Sequence, residues 1–166
     1  GAGAMVLSPT EENKGFIDFI LHTDGRGKDH FNIPAGGSEL PTSPQTVADK
    51  KHYFQMNGPE VYNTATKVVP DCIGEILTKN KFTVEDIAFM LPHQPSIKIL
   101  KEIARQVGLP FEKVKTNMDR YANTSGGTIP IVLDETHRNG EFKKGDLLLF
   151  AAVGAGWTWG TALYRW

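Results

Sequence analysis

Apolar runs and helical stripes alternate along the second half of the chain. Ile87 to Leu91 form an uninterrupted apolar run, which is typical of a strand buried on both faces of a parallel sheet. From Ser96 to Val107 apolar residues recur at helical spacing, and Gly108 and Pro110 are stop signals for that helix. A second short strand is predicted over Lys113 to Thr116. Because strand-helix-strand units cross over in a right-handed sense, both strands should end at one sheet edge, where ligands of open α/β sheets bind.

The same alternation continues to the last residue. A helix is predicted over Gly126 to Asn139, and its early part is apolar nearly all round, as expected of a helix buried on more than one side. Leu147 to Val153 has the pattern of another doubly buried strand. Gly154 to Gly156 forms a tight connection, after which Trp159 to Trp166 alternates well enough for an antiparallel final strand.

The first half of the chain contains fewer regular elements. Short strands are predicted over Ala2 to Leu7 and Phe16 to Leu21. The stretch from His22 to Asn57 has no sustained periodicity and should be loop, which at this length is either a functional cover or disordered. A helix is predicted from Gly58 to Leu77, and its apolar stripe continues across Pro70, so we expect one kinked helix.

These elements predict an α/β domain with a five-stranded mixed sheet, in the order β-α-β-α-β-α-β-β, and helices on both faces. The composition agrees with one globular domain, since 40% of the 166 residues are hydrophobic and 22% are charged. A net charge of -1 argues against a nucleic-acid-binding protein, and no apolar run approaches the ~20 residues of a membrane helix. A single cysteine and the lack of a signal-peptide pattern indicate a cytoplasmic protein. The chain starts at Gly1 in a strand-like stretch, so we expect a piece of a longer protein.

Two sets of reactive side chains have structural interpretations. Several histidines and acids fall in or beside the predicted loop, but no pair has a ligand spacing such as HxxxH, so no metal site is predicted there. The residues in question are His22, Asp24, Asp29, His30 and His52. Cys72 falls on the apolar stripe of the predicted helix, so it is interpreted as a small core residue rather than a nucleophile.

Chemistry is expected at the carboxyl edge of the sheet. His93 stands where the Ile87 to Leu91 strand ends. The connection from Asn123 to Gly127 offers a capping residue, small residues that let a substrate approach the backbone, and the positive end of the next helix. We therefore expect Asn123 to face His93.

Three segments carry a resemblance to a known family. HQPSIKIL, DRYANTSGGTIPIVLDE and GDLLLFAAVGAGWTWGTALYRW are similar to the C-terminal half of β-ketoacyl-acyl carrier protein synthase III, and GAGAMVL and MNGPEVY extend the similarity. Three separated motifs in the correct order are far more specific than one short pattern. The resemblance implies a thiolase-like duplication of two halves. Residues 1–10 would then hold the last strand of a missing N-terminal half, and residues 11–166 the C-terminal domain.

The resemblance also implies an activity. Enzymes of this family transfer an acyl group from coenzyme A to a cysteine and condense it with malonyl-carrier protein after decarboxylation, without a cofactor. His93 and Asn123 match the pair of donors for the enolate. The backbone N–H of Ala155 matches a second oxyanion donor, at a position where the family usually has glycine. The nucleophilic cysteine belongs to the first half, and Cys72 does not match it.

Other positions match substrate contacts of the family. Three of them fall along the pantetheine tunnel: Gly58, Tyr62 and Ser96. Tyr62 is equally compatible with packing. On the helix that follows, a basic ridge is formed by Lys98, Lys101 and Arg105. Its first and last members match positions linked to docking of the acidic acyl carrier protein, whereas Lys101 rests on spacing alone. A solvated surface that includes Glu102 is the alternative interpretation.

The sequence therefore predicts the C-terminal domain of a starter condensing enzyme of type II fatty acid synthesis. The full-length enzyme is expected to be a homodimer that binds acyl-CoA and acyl carrier protein, and neither nucleic acid nor membrane. An acyltransferase or ketosynthase of secondary metabolism and a non-catalytic carrier-protein or CoA-binding module are the alternatives. The 166 residues alone are predicted to be inactive and to self-associate.

Overall fold

A four-stranded mixed sheet lies at the centre of the computed structural model, which describes residues 1–166. Its strands, in the spatial order β1-β6-β5-β4, are β1 (Gly15–Thr23), β4 (Ile87–Pro92), β5 (Leu147–Gly154) and β6 (Thr158–Arg165). β4 and β5 are parallel, and β6 is antiparallel to both of its neighbours. These strands confirm four of the six predicted from the sequence.

Helices cover both faces of this sheet, as predicted. On one face, α2 (Gly58–Asn80) continues unbroken through Pro70 and packs against α3 (Ile97–Val107). The Ser96 hydroxyl caps α3 by accepting from the Ile99 N–H, and Gly108 ends the helix in the left-handed conformation. On the other face, α5 (Thr128–Arg138) packs against β4 after a single-turn helix, α4 (Met118–Tyr121).

The core has one apolar cluster on each side of the sheet. The larger lies between the sheet and helices α2 and α3, and its most deeply buried members include Ile73, Ile76, Met90, Leu100, Leu149 and Leu163. The smaller, under α5, contains Leu91, Val132 and Leu148. Burying a large aliphatic side chain contributes about 1.5–3 kcal/mol, so the two clusters together hold the ends of β4 and β5 in fixed positions.

The segment predicted as loop, from His22 to Asn57, is mostly irregular, although its first two residues belong to β1. It contains a 3-10 helix, a short helix α1 (Pro44–Ala48), and a two-stranded sheet of β2 (Phe31–Asn32) and β3 (Gln55–Met56). Elements of two to six residues are too short to leave a hydrophobic period in the sequence.

The predicted strand over Lys113 to Thr116 is wrong, and the sheet therefore has four strands rather than five. The segment contains a 3-10 turn and makes only one isolated parallel bridge, between Val114 and Met90. Competition for backbone groups explains the difference. The buried side chain of Gln94 donates to the Lys115 carbonyl, so the ladder of strand hydrogen bonds cannot extend further.

The first fourteen residues form neither helix nor strand, so the predicted strand over Ala2 to Leu7 is not present. A strand requires a hydrogen-bonded neighbour, and this segment has none in the chain. The predicted helix over Gly126 to Asn139 also begins slightly later, at Thr128, after a 3-10 turn. No helix of the protein combines the length and apolar character needed to span a bilayer.

A large apolar surface remains uncovered on the α5 side of the sheet. Phe16, Phe19 and Leu21 of β1 lie on this side and are 49%, 62% and 72% exposed. Next to them is an apolar cavity of about 210 Å³, lined by Met5, Val6, Leu7, Phe16, Leu133, Phe150, Tyr164 and Trp166. We call these residues together the open apolar face. Its extent is unusual for a monomeric protein surface.

Candidate active site

His93 is fixed by the sheet itself. It directly follows the last residue of β4, and its backbone N–H donates to the Ala151 carbonyl of β5 over 2.8 Å. The parallel hydrogen-bond ladder therefore continues one residue past the strand. It orients the His93 backbone independently of the contacts of the side chain. This places His93 at the carboxyl edge of the sheet, as expected from the sequence.

The His93 ring is anchored by a threonine of α5. Its Nδ1 lies 2.7 Å from the Thr128 hydroxyl oxygen, and that hydroxyl also donates to the Ser125 carbonyl over 2.9 Å. Thr128 is 3% exposed, so both contacts are shielded from water. Burial lowers the pKa of His93, and a hydrogen bond with the Ser125 carbonyl opposes this only in part. His93 is therefore neutral near pH 7.

Because Thr128 has one hydroxyl proton and two acceptors within reach, it determines which ring nitrogen of His93 is protonated. When the hydroxyl donates to Ser125, Nδ1–H donates to Thr128 and Nε2 carries a lone pair. When the hydroxyl rotates to donate to Nδ1, Nε2 carries the proton and becomes a donor. This contact could not be predicted from a local pattern, because Thr128 is thirty-five positions from His93.

Gln94 is a second residue that the sequence analysis missed. It is completely buried, and its amide donates to the carbonyls of Pro92 and Lys115 over 2.9 and 3.1 Å. Its carbonyl oxygen accepts from the Asn117 N–H over 3.3 Å. These bonds satisfy the buried amide and join the turn at His93 to the segment that leads to Asn123.

Asn123 is held so that its amide N–H groups are left free. Its Oδ1 accepts from the Ser125 N–H over 2.9 Å, and its Nδ2 donates to no other group of the protein. The flanking residues Ala122 and Ser125 have φ of 55° and 56°, and Ala122 has ψ of -153°, a conformation that almost only glycine adopts. The chain thus maintains a strained backbone on each side of the Asn123 amide.

The segment before Asn123 is anchored to α5 by Glu135. This carboxylate accepts from the Asn117 amide over 2.7 Å and from the Arg120 guanidinium over 2.6 Å. Partial burial acts to raise the pKa of Glu135, but the hydrogen bonds from Asn117, Tyr121 and Arg120 outweigh it and keep that pKa below its usual value. Glu135 therefore stays ionised and holds the segment in place.

His93 and Asn123 line the same cavity. Its volume is about 280 Å³, and it lies between the sheet edge, α2 and the start of α3. All three positions that match the pantetheine tunnel also line it: Gly58, Tyr62 and Ser96. We call it the histidine channel. The structure thus brings together six sequence-predicted site residues, Lys98 included, from three separate segments.

A wider, open basin of about 700 Å³ adjoins the channel and shares His93 and Asn123 with it. Ala155 lies in its wall, in the turn between β5 and β6. The Thr158 hydroxyl donates to the Ala155 carbonyl over 3.1 Å, which holds the turn closed. The methyl group at this position faces an opening rather than a packed interior, because Ala155 is exposed.

The three cations of the basic ridge have different surroundings. Lys98 forms no ion pair and lines the histidine channel. Lys101 lies over the Phe111 ring at 5.7 Å. Arg105 is paired with Glu102 over 2.6 Å, and that hydrogen bond lowers the pKa of Glu102 to about 2. Of the three, Arg105 is therefore the cation whose charge an acidic partner within the chain already offsets.

The segment from His22 to Asn57, which precedes α2, packs against Trp157, and Trp157 in turn lines the histidine channel. A Cβ at Gly27 would lie 2.0 Å from two atoms of the Trp157 indole, so only glycine fits at this position. Trp157 is 7% exposed, stacks beside His30 and lines the histidine channel. Of the predicted loop residues, His30 thus packs against the channel wall.

Comparison with known proteins agrees with this geometry. Residues 77–166, more than half of the chain, match the family described as 3-oxoacyl-(acyl-carrier-protein) synthase III, C terminal. The chain is 42% identical over 165 residues to the beta-ketoacyl-(acyl-carrier-protein) synthase III of Symbiobacterium thermophilum, covering 99% of this chain and 50% of the relative. The enzyme of the same name from Solibacter usitatus is 42% identical and is covered to 51%.

Solved structures give the same result. The 3-oxoacyl-(acyl-carrier-protein) synthase III of Aquifex aeolicus superimposes with a TM-score of 0.84 at 28% identity, over 96% of this chain and 47% of that one. The Thermus thermophilus enzyme gives 0.83 at 32% identity, with 49% of its chain covered. The chain spans about half the length of the curated relatives it matches. It belongs to the β-ketoacyl-acyl carrier protein synthase III family and corresponds to the C-terminal part of its members.

Proposed function

We propose that the chain is the C-terminal half of an enzyme that joins an acyl-CoA starter to malonyl-acyl carrier protein by decarboxylative Claisen condensation. This reaction initiates type II fatty acid synthesis. The observation that carries the proposal is the shared cavity of His93 and Asn123, which also holds all three positions matching the pantetheine tunnel. We assign the nucleophilic cysteine to the other half of the full-length protein, because the only cysteine of this chain, Cys72, is buried on α2.

The proposed role of His93 and Asn123 is to stabilise the enolate. When the malonyl thioester loses carbon dioxide, the electron pair of the broken carbon–carbon bond passes to the thioester oxygen. Asn123 can donate to that oxygen through Nδ2, because its Oδ1 is already occupied by the Ser125 N–H. In acyl-transfer enzymes, loss of one such donor lowers the rate ~100 to 1000-fold.

His93 supplies the second donor from Nε2. This requires the Thr128 hydroxyl to donate to Nδ1 rather than to Ser125, which is a rotation about one bond. The lowered pKa of His93 supports this role, because a neutral imidazole keeps its donor without adding a full positive charge to the cavity. Thr128 acts as a positioning residue, since it reaches the substrate only through His93.

The carbon–carbon bond forms when the enolate carbon attacks the acyl thioester on the cysteine of the other half. The carbonyl electrons move to oxygen, and on collapse of the tetrahedral intermediate the cysteine leaves as thiolate. The backbone N–H of Ala155 is the proposed donor to the intermediate. Its position in the wall of the basin shared by His93 and Asn123 supports this assignment.

Two half-reactions of the full-length protein test this proposal. His93→Ala and Asn123→Ala should each reduce malonyl-carrier protein decarboxylation ~100-fold or more while leaving most of the acetyl transfer from acetyl-CoA to the cysteine. His137→Ala and Asn139→Ala, at the exposed end of α5, are matched controls and should retain both half-reactions. Equal loss of both half-reactions in the site variants would contradict the assigned roles.

A further inference from the structure

A second cluster of reactive side chains lies outside the cavity, where β1 meets α2. His22 is the last residue but one of β1, and Cys72 and Glu75 are three positions apart on α2. His22 Nε2 lies 2.8 Å from Glu75 Oε2. The nitrogen, the cysteine sulfur and the carboxylate oxygen all lie within 4.8 Å of one another.

The fold brings these three residues together for a clear geometric reason. Alternate residues of β1 face α2, and Ile20, two positions before His22, is part of the core beneath that helix. The Cys72 sulfur lies 3.9 Å from the Ile20 carbonyl. On α2, residues three apart share one side, so Glu75 extends over the sulfur toward His22. The strand and the helix each contribute to one small polar pocket.

We infer that His22, Cys72 and Glu75 form a binding site for a zinc-type divalent cation, with water as the fourth ligand. One thiolate, one imidazole and one carboxylate are all ligands that zinc accepts in four-coordinate sites. In a tetrahedral site with ordinary bond lengths, such ligand atoms are about 3.4 to 3.6 Å apart. The observed separations lie between 2.8 Å and 4.8 Å, on either side of this range, so side-chain rotations of His22 and Glu75 can complete the arrangement.

The exposure of the three groups suits this role. The side chains of His22 and Glu75 are 40% and 51% exposed, so they can rotate and the ion can enter from solvent. Cys72 is 1% exposed and anchors the site in the core. Its sulfur lies 3.3 Å from the Thr161 hydroxyl, a contact that is replaced when the thiol loses its proton to solvent and binds the metal. Burial, with a smaller effect from Glu75, raises the pKa of the free thiol, and a bound cation reverses that effect.

Such an ion would join β1, which lies at the edge of the sheet, to the longest helix. The site also places a fluorescent side chain near the ion, because the His22 ring is 5.5 Å from the Trp159 ring. The site does not depend on the proposed condensation chemistry, since it shares no residue with the histidine channel or the basin beside it apart from this contact with Trp159. Metal binding and condensation can therefore fail separately.

Cobalt(II) is the probe that tests the site, because its absorption spectrum reports both geometry and ligands. The full-length protein should bind one equivalent at this site, with the visible bands of a tetrahedral ion and a near-ultraviolet thiolate charge-transfer band. Zinc should displace the cobalt and remove the bands. Binding should also quench tryptophan fluorescence through Trp159.

Variants at exposed positions keep the test independent of folding. His22→Gln and Glu75→Gln should each weaken cobalt binding at least tenfold, and Cys72→Ala should abolish the charge-transfer band. His52→Gln, an exposed histidine outside the cluster, is the matched control and should bind like the parent protein. Cobalt bound without a thiolate band, or with unchanged affinity in both His22→Gln and Glu75→Gln, would show an adventitious ion only and would overturn the inference.

Discussion

Replacement of Thr128 by valine tests whether the Thr128 hydroxyl determines which ring nitrogen of His93 carries the proton. Valine has the shape of threonine, so the 3% exposed side chain should still pack, while both hydrogen bonds of the hydroxyl are lost. No hydroxyl then donates to Nδ1, and the Ser125 carbonyl, whose effect on the His93 pKa is that of a hydrogen-bond acceptor, favours the form with the proton on Nδ1. Nε2 is left as an acceptor and can no longer stabilise a negative oxygen.

The size of the effect follows from the donor that is lost. Removing one oxyanion donor costs ~2.7–4 kcal/mol in the transition state, so decarboxylation of malonyl-carrier protein by the full-length protein should fall ~100 to 1000-fold. Loss of the hydrogen bonds themselves should reduce the free energy of unfolding by only about 1–3 kcal/mol. Acetyl transfer from acetyl-CoA should change little, because it does not pass through the enolate.

Thr128→Ser is the control, since serine retains the hydroxyl and should restore most of the decarboxylation rate. Nitrogen NMR of labelled histidine gives an independent measurement: the His93 signals should show a single Nδ1–H tautomer in Thr128→Val. A Thr128→Val protein that decarboxylates at the rate of the parent would refute the claim that Thr128 determines the donor form of His93.

Other predictions concern the cover, the basic ridge, the pH dependence and the open apolar face. Gly27→Ala should lower stability by about 1–3 kcal/mol because its Cβ overlaps Trp157, whereas Gly25→Ala, which has open space around it, should not; thermal melts compare the two. Lys98→Glu should raise KM for malonyl-carrier protein more than Arg105→Glu does, because Arg105 is already paired with Glu102; the difference should shrink with added salt, and equal effects in low salt would count against it. Because burial lowers the folded-state pKa of His93, its contribution to stability is present above the unfolded value of about 6.5 and is lost as pH falls below it; urea titrations should give a shallower acid-side loss in His93→Gln. The 166 residues alone should self-associate through the open apolar face and show no acyl transfer, and a stable monomer at micromolar concentration by light scattering would contradict this.

The regular elements could be predicted where the hydrophobic period was long. β4, β5 and β6 were identified from apolar runs or alternation, and α3 from its stripe together with Gly108 and Pro110 as stop signals. These features are local, because each depends on residues within one turn or one strand. The strand predicted over Lys113 to Thr116 failed because its pairing was decided by a side chain from elsewhere.

The site was only partly predictable for the same reason. His93 and Asn123 could be named from their positions at the sheet edge and from the resemblance. The contacts that orient them could not, because Gln94 and Thr128 act on groups more than twenty positions away, and a buried amide or hydroxyl leaves no periodic pattern. The grouping of His22 with Cys72 and Glu75 was hidden in the same way by a separation of about fifty residues.

The backbone around Asn123 has a consequence for how this protein can adapt to heat. A non-glycine residue in the conformation of Ala122 costs about 1–3 kcal/mol, and Ser125 adds a smaller amount. Ala122→Gly removes the steric cost but increases the freedom of the unfolded chain, so the net gain should be at most about 1–2 kcal/mol. The same change would make the backbone that positions the Asn123 amide more flexible. Selection for thermal tolerance and selection for turnover therefore act in opposite directions on this one position, and a measured rise in melting temperature with a fall in decarboxylation rate would reveal that conflict.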